Sequence, residues 1–222
     1  MAIDFTTYAG WLNGLKQWID VDDLTDDIFA TCLQLAQVRL NRELNSQWME
    51  GNAPLTVVTP GIPLSLISGI PDYNRVRLVV SSQNLLPLEV QAFNEYQLKV
   101  SELYGQGVAP SPTSELPCWY AIESLSLYVA PYAAADSTLT VYYYKQITPI
   151  SPTNDSNVFT QKHFDCMLYA SCLEVSRFIV EDERIPVWQT AYDDAIAKIN
   201  STAVRSKLGS TPLRRVQPGG TY

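Results

Sequence analysis

Histidine occurs once, at position 163, so any Ser-His-Asp or Cys-His arrangement would have to use that single imidazole. It falls in the first turn of a predicted helix, where a capping or surface role is expected. Cysteine occurs only at 32, 118, 166 and 172, with no C-x-x-C pair, in a chain too long to need stapling. Buried, reduced thiols are expected. His163, Cys166 and Cys172 lack a second ligand pair, and positions 166 and 172 lie on different faces of a helix, so no zinc site and no cofactor are expected. Gly105-Gln106-Gly107 lacks the third glycine and the preceding βα unit of a dinucleotide site. Any acidic chain offers carboxylate pairs of the kind that cleave glycosides, and no pair is singled out here, so no catalytic residue is predicted. Apolar runs of membrane-spanning length are also missing, and Asp4 stands where a signal peptide needs bases. A soluble, unexported, non-enzymatic product without membrane contact is expected.

What is present begins with 222 residues, 46% of them apolar, enough for one sizeable core or two small ones. The charge is unevenly placed. Residues 205–222 hold Arg205, Lys207, Arg214 and Arg215 and no acid, leaving 11 basic against 23 acidic residues elsewhere. So acidic a body does not hold nucleic acid by neutralising phosphates.

Helical periodicity opens the chain. Tyr8, Trp11, Leu12, Leu15, Trp18 and Ile19 share a face, with Thr6 or Thr7 as N-cap. After the acidic turn at Asp20, Thr25 is placed to cap a second helix whose first turn holds Asp26 and Asp27 and whose apolar stripe runs from Ile28 to Leu44. The two form an antiparallel pair. From Asn52 the pattern becomes short strands, at Leu55–Thr59, Leu64–Ile67, Val76–Ser81 and Leu85–Glu89, followed by a short helix over Ala92–Tyr104. Trp119–Ile122 and Leu125–Val129 predict a hairpin turning at Glu123-Ser124, Pro131 ends the second strand, and Thr138–Tyr144 is the next. Aromatic residues on both faces of that last strand, Tyr142, Tyr143 and Tyr144, together with Trp119, are candidates for an interface between subunits.

A proline-rich linker follows, then a helix marked by Phe164, Leu168, Cys172, Val175, Phe178 and Ile179. Another starts near Pro186, with Trp188, Ala191, Tyr192, Ala195 and Ile199 in register. The fold class is α+β: four main helices in a bundle, an inserted, mainly antiparallel β domain, and a C-terminal segment whose glycines and prolines predict an extended tail.

The order of these elements carries a resemblance. Helix, acidic turn and a second helix reaching Arg39-Leu40-Asn41-Arg42-Glu43-Leu44 resemble the start of the head-to-tail adaptor proteins of tailed phages, the tail tubular protein A-like connectors. So do Pro71-Asp72-Tyr73, Trp119-Tyr120-Ala121-Ile122-Glu123, Leu125 through Pro131, Tyr142-Tyr143-Tyr144, and then Tyr169-Ala170-Ser171-Cys172 and Trp188 in the closing helices. The resemblance implies a virion protein made in the host cytoplasm. It implies a homo-oligomeric ring, a dodecamer, between portal protein and tail nozzle protein, with genomic DNA passing through without sequence-specific binding. Mapped here, 1–51 and 156–207 would be the ring body, 52–155 the tail-facing insertion and 208–222 the portal-docking tail. Arg205, Lys207, Leu213, Arg214, Arg215 and Val216 would make the docking contacts. Two other readings stand beside it: a peptidoglycan-cleaving tail component, and a nucleic-acid-binding module using the basic C-terminal tail.

Overall fold

The computed structural model describes residues 4–20, 24–83, 85–105, 116–178 and 183–208, with side chains through Ala203. The chain divides into two compact units, Met1–Trp48 with Thr148–Tyr222, and Met49–Ile147. Among the described residues the first unit is helical, and the second holds all seven strands.

In the helical unit, α1 (Tyr8–Ile19) starts at Thr7, whose hydroxyl accepts from the Gly10 amide at 3.0 Å. Asp20 in the left-handed region closes it. Thr25 occupies the N-cap of α2 (Asp26–Glu43) without a side-chain cap bond. The first turn relies instead on Asp26 and Asp27 facing the positive end of the helix dipole, and Asp26 also pairs with Lys16 of α1. Trp11, Leu15, Ile19, Phe29, Leu33 and Leu40 are fully buried, each worth about 1.5–3 kcal/mol of hydrophobic stabilisation.

Asn157 and Thr160 form a reciprocal capping box on α5 (Val158–Lys162). The next helix, α6 (Phe164–Val175), is buried almost all round and packs against α1, α2, α5 and α7 (Ile185–Leu208). A helix buried on every side is a core element. The sequence pattern carries this helix on to Ile179, but the α-helix stops at Val175 and tightens into a 3-10 turn over Ser176–Phe178. The Ser176 hydroxyl donates to the Leu173 carbonyl at 2.7 Å, a local bond of the kind that competes with helix propagation.

In the strand unit, β1 (Glu50–Thr56) and β3 (Tyr73–Ser81) flank β7 (Thr138–Lys145), both antiparallel to it. The second sheet runs β2 (Leu64–Ser65), β6 (Ser126–Ala130), β5 (Trp119–Glu123) and β4 (Glu89–Val90), antiparallel except for the β4–β5 pair. One apolar core joins the sheets: Leu55, Val79, Leu139 and Val141 meet Tyr120 and Leu127. On the outer face of the second sheet lies α4 (Phe93–Tyr104), whose Tyr96, Phe93 and Val100 pack on Ala121, Ala130 and Tyr128.

Several predicted strands are corrected. The first begins at Glu50 rather than Leu55, since its edge position next to β7 tolerates Pro54. Leu66–Gly69 is not strand but the one-turn helix α3, capped by Ser65. A Cβ on Gly69 would run into the Leu55 side chain, so glycine lets this turn approach β1. Leu85 has φ 56°, which ends any strand there, and only Glu89 and Val90 pair regularly. The hairpin turns at Ser124-Leu125, one residue later than expected, with both residues at positive φ (48° and 61°). That is the geometry of a type I′ turn, whose twist matches the strands.

Candidate functional site

Most polar side chains inside the helical unit close local hydrogen-bond accounts, while the buried Trp11 indole N–H and Glu174 Oε2 find no hydrogen-bond partner among the described residues. Gln37, fully buried on α2, donates to the Leu33 carbonyl at 3.2 Å, while its carbonyl oxygen accepts from the Ile150 amide and the Asn157 side chain, both at 2.8 Å. An unpaired buried amide costs about 1–3 kcal/mol, so a neutral side chain with both donor and acceptor fits this position. Glu174, 3% exposed, lies 3.0 Å from Arg177 and 3.9 Å from Arg39. Arg39 also bonds Glu43 at 3.0 Å and stacks 4.3 Å over the Tyr192 ring, whose hydroxyl donates to Glu43 at 2.6 Å. Burial first, and the bond to Glu43 second, raise the Tyr192 pKa, so the phenol stays protonated. These groups pair with each other.

His163 stands at a cap position, ending α5 with its backbone N–H on the Phe159 carbonyl at 3.1 Å and preceding α6, but its side chain does no capping and is not on the surface. It is 7% exposed at the junction of α5 and α6, makes no side-chain cap bond, and its Nε2 lies 2.7 Å from the Ser46 hydroxyl. Burial lowers its pKa. Beside it opens a groove of about 250 Å³ between the segment after α2 and the later part of α7, lined by Trp48, Lys162, Lys198, Ile199 and Thr202. Lys162 Nζ sits 5.0 Å from the Trp48 ring centroid, a cation–π contact. No linear signal in the sequence marks this groove, because positions 48, 162 and 198 meet only through tertiary packing.

The aromatic interface candidates separate. Tyr143 and Tyr144 are 5% and 7% exposed: Tyr143 donates to Asp72 at 2.7 Å, with its pKa pushed up to about 12 by burial and by that bond, and Arg75 lies 5.2 Å from the Tyr144 ring centre. Both rings are packed inside their own unit. Tyr142 and Trp119 are partly exposed, and Lys99 sits 4.7 Å from the Trp119 ring centre. Arg205 and Lys207 fall in the last turns of α7, while Leu213, Arg214, Arg215 and Val216 lie outside the described residues. Cys32, Cys166 and Cys172 are buried and free, with burial raising Cys32 to about 11 and Cys166 to about 12. Cys118, just before β5, is exposed, contrary to the expectation for all four. No group of three or more His, Cys, Asp or Glu among the described residues is placed to hold a metal. No described helix is long and apolar enough to cross a membrane.

Fold and groove together describe a two-unit α+β chain with an open, solvent-facing groove in its helical unit. Comparison with protein families makes the class specific: residues 6–216 match the SU10 adaptor protein, and the chain belongs to that family of structural phage proteins, components of the virion head–tail junction. Against the curated proteins it finds no match.

Proposed function

We propose that the chain forms a closed ring, a dodecamer, that joins the portal to the tail nozzle and lines part of the channel through which DNA is ejected. The observation that carries this reading is the family match over residues 6–216. The charge distribution supports it. With 23 acidic residues and most of its basic ones outside the last eighteen positions still too few to balance them, the body repels phosphate, so DNA slides without sticking. In this reading 1–51 and 156–207 form the ring body and 52–155 face the nozzle. Residues 208–222 dock on the portal together with Arg205 and Lys207 at the end of the ring body, the four basic side chains Arg205, Lys207, Arg214 and Arg215 meeting carboxylates and Leu213 and Val216 filling apolar notches. Tyr142 and Trp119 remain available to a neighbouring chain. Assembly takes place in the host cytoplasm and the product is a virion part.

The test is co-sedimentation with portal rings, followed by imaging. The full chain is expected to bind and close a ring through one head-to-tail contact repeated around an axis. A chain truncated at Leu208 is expected to melt like the full chain but not to attach. Equal portal binding by the truncated chain would remove the docking role. A concentration-independent closed dimer, in solution and on the portal, would sink the ring.

A further inference from the structure

The groove beside His163 has a chemistry at odds with the acidic body around it. Its two charged lining residues, Lys162 and Lys198, are both exposed lysines. Among the described residues neither takes part in an ion pair. Its floor is apolar, from Ile199, Ala203 and the Trp48 indole, which is 52% exposed. The wall is held in place from behind: Ser46 accepts from the Trp48 amide at 3.3 Å and bonds His163, and Thr202 donates to the Lys198 carbonyl at 2.8 Å. Two cations without a carboxylate partner among the described residues, one of them resting on the Trp48 ring, beside an apolar notch form a subsite suited to an anion attached to an apolar group.

We infer that this groove is a docking site for an acidic peptide segment of a partner chain, one in which an apolar side chain is flanked by carboxylates. Charge complementarity names the occupant. At about 250 Å³ the groove is smaller than the pockets of about 300–1,000 Å³ that enclose small molecules, but it has room for a peptide side chain. A single nucleic-acid strand fits less well, because Lys162 already covers a face of the Trp48 ring on which a base would stack, and two lysines neutralise little phosphate. The chain's own last eighteen residues carry four basic side chains and no acid, so they are repelled. Exposed ion pairs are individually weak, so the apolar side chain carries the affinity and the lysines set the choice of partner. The inference does not depend on the ring: a groove that binds such a segment is compatible with any assembly in which the partner supplies it.

The experiment titrates the full-length protein into a fluorescein-labelled octapeptide of alternating glutamate and leucine and follows anisotropy. Binding is expected to weaken about tenfold or more in K162Q/K198Q and in Trp48→Ala, to survive in K162R/K198R, and to fall as salt screens the lysines. Both lysines are exposed, so the double variant is expected to melt with the parent, which separates lost binding from lost folding. The same peptide with glutamine for glutamate is expected to bind at least tenfold more weakly. Equal binding of that neutral peptide would overturn the inference. So would loss of binding in R214Q/R215Q with the groove variants unaffected, or tighter binding of an oligo-dT of equal length. No binding of the acidic peptide to the parent protein would overturn it as well.

Discussion

At the scale of single residues, the informative groups are buried ones with one defined partner. His163 is held neutral by burial, so its folded pKa lies below the ordinary value of 6.5. As pH falls below 6.5 the unfolded chain takes up a proton that the folded chain refuses, the unfolded state holds more protons, and stability decreases. Above 6.5 both states are neutral and this contribution is constant. The wild-type urea midpoint is therefore expected to drop between about pH 7 and pH 5.5, and the drop to shrink in His163→Gln, which has nothing to titrate there. An equal drop in both proteins would show that the imidazole is not the group responsible. At pH 7 the variant is expected to lose about 1 kcal/mol, since glutamine keeps a group able to reach Ser46.

At the scale of elements, local chemistry and tertiary context divide the work. The capping box at Asn157 and Thr160, the cap at Thr7 and the acids opening α2 are sequence-local, and each sits where its type predicts. The β5–β6 turn is a local compromise: Ser124 and Leu125 both adopt positive φ, where a side chain costs about 1 kcal/mol and glycine costs little. Leu125 is largely exposed and contributes its carbonyl, not its side chain, to the Leu66 amide at 3.0 Å. Leu125→Gly is therefore expected to raise stability by about 0.5–1 kcal/mol, seen as a higher urea midpoint with an unchanged slope. A lower midpoint would show that the leucine side chain packs usefully against something.

At the scale of the whole molecule, the strand unit Met49–Ile147 is one continuous stretch with its own core, both sheets and the covering helix α4, whereas the helical unit is assembled from two separated stretches. A fragment of residues 49–147 is expected to fold alone, with a cooperative urea transition and a stability of about 5 kcal/mol, in line with the usual stability per residue. A broad, non-cooperative transition would mean that its core depends on the helical unit. The complementary deletion, which must join Trp48 to Thr148, tests the helices in the same way.

What the sequence determined by itself is what depends on near neighbours. The periods of Tyr8–Ile19 and of the helix at Phe164, the glycine and proline punctuation, and the alternation along Thr138–Tyr144 are all read within a dozen residues, because helix and strand faces repeat at 3.6 and 2. The order of these elements was enough to point to the phage adaptors, whose family the chain joins over residues 6–216. Tertiary structure alone decided which aromatic residues remain on the surface: alternation places Tyr143 and Tyr144 on opposite faces, yet both are buried, because Asp72 and Arg75 come from a neighbouring strand region to meet them. It also decided that His163 turns inward to Ser46, 117 positions away, and that Trp48, Lys162 and Lys198 share a groove. Contacts between residues so far apart depend on chain closure and packing, which no local pattern encodes.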